Sequence, residues 1–150
     1  MTAEAKTRAV HLARAAEGET VLVVGDAYRL IVTGAETAGS YLIMEATVPV
    51  GHGPPLHVHD REDEGFQILE GEVEFEAEGR TVRLGPGDFI NLPKGVTHRF
   101  QNNGAATARM LITCAPAGIE GFFRAAHRIG DPATLTEIAA RFGITILPPT

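Results

Sequence analysis

The chain has 150 residues, 44% hydrophobic and 21% charged, with a formal net charge of −6. That balance is expected of a folded domain in water, and no apolar run approaches the roughly 18 residues of a membrane-spanning helix. The acidic charge, with Lys and Arg scattered and forming no basic stripe, excludes nucleic acid as an expected partner.

The N-terminal stretch MTAEAKTRAVHLARAAEG has no apolar signal-peptide core, so a cytoplasmic location is expected. Next come TVLVVG (20–25), YRLIVT (28–33) and YLIMEATV (41–48), rich in β-branched and aromatic residues and read as strands. Glu70-Gly71-Glu72 and Glu78-Gly79-Arg80 carry hairpin signals, and GPGD at 85–88 is a further turn. Between them VEFEAE (73–78) alternates, with Val73, Phe75 and Ala77 on one face and three glutamates on the other. One face is therefore expected in the core and the other in water. Cys114, the single cysteine, excludes an internal disulfide; within MLITCA it reads as a small buried hydrophobe.

Turn signals recurring about every ten residues predict an all-β sandwich or barrel. The chain then changes character. A helical turn is expected around GIEGFFRAA (118–126), placing Phe122 and Phe123 near the barrel mouth. Asp131 as cap, Pro132 at the first helical position and Gly143 as stop predict a helix over about 131–143. Its stripe of Leu135, Ile138, Ala139 and Phe142 predicts packing against the outside of the barrel. No shift in composition marks a second domain, so one domain over 1–150 is expected.

PLHVHDREDE (55–64) raises the question of chemistry. His57 and His59, one residue apart on a strand, point the same way about 7 Å apart, and two such imidazoles can share one metal. Taken singly, each residue has an ordinary reading. His11, His52 and His127 read as surface or packing residues, and a lone His98 as structural. Asp60, Arg61, Glu62 and Asp63 read as a solvated loop.

The spacing changes that. The first stretch runs Gly51, five residues, His57, one residue, His59, four residues, Glu64, six residues, Gly71. The second runs Gly87, five residues, Pro93, one residue, Gly95, two residues, His98, three residues, Asn102. Together they resemble the two motifs of the cupin superfamily at all ten specified positions. The resemblance implies a jelly-roll, double-stranded β-helix barrel, with motif core 51–102. It implies one divalent transition metal held by His57, His59, Glu64 and His98. Asp63 would face away and Glu62 would sit back in the loop; Asn102 would support a strand end. Fe, Mn, Ni, Co and Zn all suit such a donor set, and a site without cysteine is unlike a closed structural zinc site.

GPPLHVHDREDEGFQILEGEVEF followed by PGDFINLPKGVTHRFQN is similar to the single-domain cupins resembling quercetin 2,3-dioxygenase. A dioxygenase cleaving a flavonol-like aromatic substrate with O2 is implied, with Glu64 as general base for the substrate hydroxyl. Met44, Phe66, Phe75, Phe100 and Ile112 are the candidates to grip a flat ring, although any small barrel is filled with such side chains. Gln67 stands where that group leads one to expect an aromatic residue. Two alternatives stay open: another metal-dependent enzyme (isomerase, decarboxylase or other dioxygenase), or a non-catalytic binder of a small ligand. Small cupins commonly pair, so a homodimer is expected; TVLVVG would suit either an interface or a sheet core.

Overall fold

The computed structural model describes residues 8–148. A hairpin of β1 (Glu19–Val23) and β2 (Asp26–Val32) opens the fold, and one helical turn, α1 (Gly34–Thr37), leads to β3 (Leu42–Val48). Two strands of the motif region follow, β4 (His57–His59) and β5 (Asp63–Glu70). Then come β6 (Val73–Ala77), β7 (Arg80–Leu84), β8 (Phe89–Leu92), β9 (His98–Gln101) and β10 (Ala108–Ala115). The chain closes with α2 (Glu120–Ala126), α3 (Pro132–Arg141) and β11 (Ile144–Ile146).

These strands form two antiparallel sheets in a jelly-roll arrangement. One has the order β1-β2-β3-β10-β5-β8, the other β11-β4-β9-β6-β7, and they do not close into a continuous barrel. In the first sheet Met44, Ile112 and Phe66 stand in one row across β3, β10 and β5. In the second, Phe75 stands opposite Phe100. The two faces meet through aromatic rings: Phe66 lies 5.3 Å from Phe75 and 5.9 Å from Phe100, centroid to centroid. Alternation along β6 is as expected, with Val73 and Phe75 fully buried and Glu74 and Glu76 at the boundary with solvent.

Two of the expected turns connect differently from the reading above. Glu78-Gly79 does close the β6–β7 hairpin, with φ of 52° and 74°, the left-handed pair that a two-residue connection needs. At Glu70-Gly71-Glu72, however, the chain crosses from one sheet to the other, since β5 pairs with β10 and β8 and not with β6. At 85–88 it crosses back from β7 to β8. Turn chemistry reports that the chain reverses, while the partner of the next strand is decided by long-range pairing. TVLVVG lies at a sheet edge: Val21 is buried, while Leu22 and Val24 are exposed on β1 and its turn.

The C-terminal helix forms where its signals place it. Asp131 accepts a hydrogen bond from the Thr134 amide at 3.0 Å, and Leu135, Ile138 and Ala139 are buried. It packs outside the two sheets against β11 and α2. Among the described residues no helix is long and apolar enough to cross a membrane.

Candidate metal centre

The two sheets each contribute to one polar cluster. β4 and β9 are neighbours in the second sheet, with His57 directly opposite His98, and His59 follows two residues on. Glu64 reaches across from β5 of the first sheet. The loop before His98 is tied to the first motif: the Gly95 amide donates to His59 O at 2.8 Å, and the Lys94 amide to Asp63 Oδ1 at 2.8 Å. Spacing within each motif is thus converted into one place in space.

One potential donor atom from each of these four residues lies within 4.8 Å of all the others. His59, Glu64 and His98 are buried, and His57 is half-buried. Backbone carbonyls orient two of the rings: Pro55 O is 2.7 Å from His57 Nδ1, and Val96 O is 3.0 Å from His98 Nδ1. Each Nδ1–H therefore donates outward and each Nε2 lone pair faces the cluster. Glu64 Oε1 lies 2.7 Å from His59 Nε2 and 3.3 Å from His98 Nε2. All three atoms are sealed from solvent without an aligned hydrogen bond. Buried polar atoms left unmatched and converging on one point are what a metal cation resolves. The donor set, three imidazoles and one carboxylate, fits a divalent transition metal.

Behind the cluster lies a residue that the sequence reading assigned to a solvated loop. Asp60, Arg61 and Asp63 are indeed exposed, but Glu62 is buried, with Oε2 3.5 Å from His59 Nδ1. A run of charges gives no sign of which member turns inward; the turn into β5 decides it. A carboxylate behind a ligating histidine fixes the ring and its tautomer. Glu62→Gln is expected to weaken metal affinity about 10–100-fold with the fold intact, measured by competition with a chelating dye. On the other side Cys114 Sγ lies 3.8 Å from Glu64 Oε2.

Charge within the metal-free cluster is uneven. Burial, with His98 and His59 close by, pushes His57 down to about 4, so it stands neutral. Burial also pushes His59 down, but Glu62 and Glu64 outweigh it and raise the group to about 9. Burial alone would raise Glu64, yet His59 and His98 hold it well below the carboxylate range. At neutral pH the metal-free site thus holds an ion pair between protonated His59 and ionised Glu64. Its contribution to stability is complete below the ordinary histidine value of 6.5 and is lost as pH rises through about 9. A metal must displace the His59 proton. Loading near pH 7 is therefore expected to release about one proton per ion, and affinity to rise with pH until about 9. Calorimetry in buffers of different ionisation enthalpy measures this directly.

A cavity of about 280 Å³ opens beside the cluster, small for a ligand pocket and mostly apolar. Of the five apolar candidates, Met44, Phe66, Phe100 and Ile112 line it. Phe75 does not: it packs behind Phe66 and Phe100, at 5.3 and 6.0 Å, on a strand one place further from β4. Phe122 and Phe123 of α2 also line it, and Leu135 and Thr136 show that α3 closes one side. Gln67 is exposed on the far face of β5, so its polar side chain leaves the cavity unchanged. Gly53 sits in the wall where a side chain would collide with the Phe100 carbonyl, at 2.1 Å from an added Cβ, and its φ is 155°. Asp26 and Tyr28 of β2 also line it, and no spacing in the sequence pointed to either.

The other polar expectations resolve as packing. Asn102 is fully buried and donates to Val48 O and Ala106 O, both at 2.9 Å, closing the end of β9. The His11 ring meets Ile31 O at 2.7 Å, and His127 Nδ1 accepts from the Leu22 amide at 2.9 Å.

Comparison with known proteins agrees with this architecture. Residues 44–114, which contain both motifs, match the Cupin domain family. The chain is 28% identical over 116 residues to a quercetin 2,3-dioxygenase of Bacillus subtilis, covering 77% of this chain and 33% of that protein. It is 36% identical over 102 residues to a 4-deoxy-L-threo-5-hexosulose-uronate ketol-isomerase of Cereibacter sphaeroides, covering 67% and 35%. The chain thus spans about a third of the length of these relatives. A crystal structure of a predicted oxalate decarboxylase from Thermotoga maritima shares the fold, with a TM-score of 0.64, 23% identity and coverage of 70% and 98%. The family match, the shared fold and the order of the two motifs carry one conclusion: this chain belongs to the cupin superfamily.

Proposed function

We propose that this cupin is a metal-dependent dioxygenase that opens a flavonol-like aromatic substrate with O2. The observation that carries the reading is the direct contact of a three-histidine, one-glutamate cluster with a cavity walled by Phe66, Phe100 and Met44. The likeness to a quercetin 2,3-dioxygenase supports it. His57, His59, Glu64 and His98 would hold the metal, which supplies Lewis acidity and open positions where two small molecules can meet.

The protein's own groups have defined tasks in this reading. Glu64, buried beside the cavity, would take the proton of the substrate hydroxyl as general base. The Cys114 thiol beside its second oxygen helps hold the carboxylate in place. Phe66 and Phe100 grip the flat ring system, and the cover of α2 and α3 keeps water from the reacting carbons.

Oxygen consumption with quercetin tests this, on metal-free protein reloaded separately with Fe(II), Mn(II), Ni(II), Co(II) and Zn(II). Uptake with release of carbon monoxide supports the dioxygenase; silence with all five, metal bound, overturns it. A second reading, isomerisation or decarboxylation without oxygen, draws on the likeness to a ketol-isomerase. Turnover under nitrogen would establish it. Tight ligand binding without turnover would leave a binding protein.

A further inference from the structure

Asp26, at the start of β2, is only 3% exposed and forms part of the cavity wall. Its Oδ1 is sealed from solvent and makes no hydrogen bond; the His52 ring lies beside it, with Nδ1 3.6 Å away and part-exposed. An acid at a hairpin corner ordinarily caps the turn, but this oxygen bonds no turn amide. Leaving one oxygen of a buried carboxyl without a hydrogen bond is costly, and such groups persist where something else completes them. Burial lifts Asp26 to about 6, with His52 and Tyr28 offsetting only part of the effect.

Tyr28, on the same face of β2, is buried with its ring 4.7 Å from that of Phe123, another lining residue. Burial, Asp26 and Glu64 all push its phenol well above the ordinary value. Tyr28 therefore stays a neutral donor within electrostatic reach of both carboxylates. The cavity lining thus holds two carboxylates from different strands, Glu64 of the cluster and Asp26, among mostly apolar side chains.

We infer that Asp26, assisted by Tyr28, receives a hydrogen-bond-donating group of the substrate. The substrate is then a flat, largely apolar molecule with its metal-directed oxygen at one end and a hydroxyl or N–H at the other. This rests on reading the cavity as the substrate site of the proposed dioxygenase. Asp26 acts as a specificity residue and takes no part in bond breaking.

Two flavonols separate the ends: quercetin, with remote hydroxyls, and 3-hydroxyflavone, which keeps the metal-directed group and lacks them. Anaerobic titration of metal-loaded protein is expected to show quercetin binding roughly tenfold to a hundredfold more tightly. Asp26→Leu is expected to abolish the preference while leaving 3-hydroxyflavone affinity and metal content unchanged. Asp26→Asn and Tyr28→Phe, which preserve shape, are expected to reduce it partially and keep the test open if the leucine variant does not fold. An undiminished preference in Asp26→Leu and Asp26→Asn, equal losses for both flavonols, or binding of neither by the wild type overturns the inference. Quercetin bound with the preference but never oxidised overturns the dioxygenase and leaves Asp26 in its role. Oxidation of both flavonols with equal KM does the reverse.

Discussion

His98→Ala is expected to lose most of its bound metal, by more than the roughly 10–100-fold that removing an outer partner costs. His98 is 2% exposed, its Nε2 is 3.3 Å from Glu64 Oε1, and its Nδ1 is already committed to the Val96 carbonyl. It joins β9 to the cluster, and no other described side chain of that strand is among the four candidate donors. Glu64→Gln should lose metal as well while keeping the shape of the site. It should also release His59 from its elevated value, because Glu64 is one of the two carboxylates that raise it. Metal content after dialysis, measured by mass spectrometry, checks both variants, with His11→Ala as a control. Full stoichiometry in His98→Ala would show that the four-residue centre is misassigned.

Phe75→Ala carries the largest expected effect on stability, about 3–5 kcal/mol. The ring is fully buried behind Phe66 and Phe100, so truncation opens a void that two cavity-lining residues can fill only by moving away from the cavity. Weaker flavonol binding is therefore expected together with lower stability, although Phe75 touches no ligand. Phe75→Leu should recover most of the loss. Denaturant unfolding of the metal-loaded protein measures it, and a cost below about 1 kcal/mol would contradict the packing.

Much of the site was legible because its residues obey fixed intervals. His57 and His59 share a face because a strand alternates, and Glu64 follows at a distance the loop can span. Glu62 escaped notice for the opposite reason: it stands in a run of charges whose members differ only in which way the chain turns beneath them. That Phe75 lies outside the cavity lining was not legible, because period-two alternation distinguishes inside from outside but not cavity from core. Its neighbour Phe100, on β9, faces the cavity; Phe75, one strand further on, faces the rings behind it.

Local chemistry in the chain was enough to determine β1–β3, β6, the Glu78-Gly79 hairpin and the capped helix from Pro132, each of which depends on neighbours a few positions away. The four candidate ligands instead came from the resemblance of two separate motifs taken together. Tertiary structure alone decided that Gly71 marks a crossing between sheets and that α3 closes the cavity. It also decided that Glu62 and Asp26 are buried acids facing a histidine and an apolar void. The physical reason is that burial belongs to surfaces brought together from distant strands, and a carboxylate has the same local preferences whether or not another sheet comes to cover it.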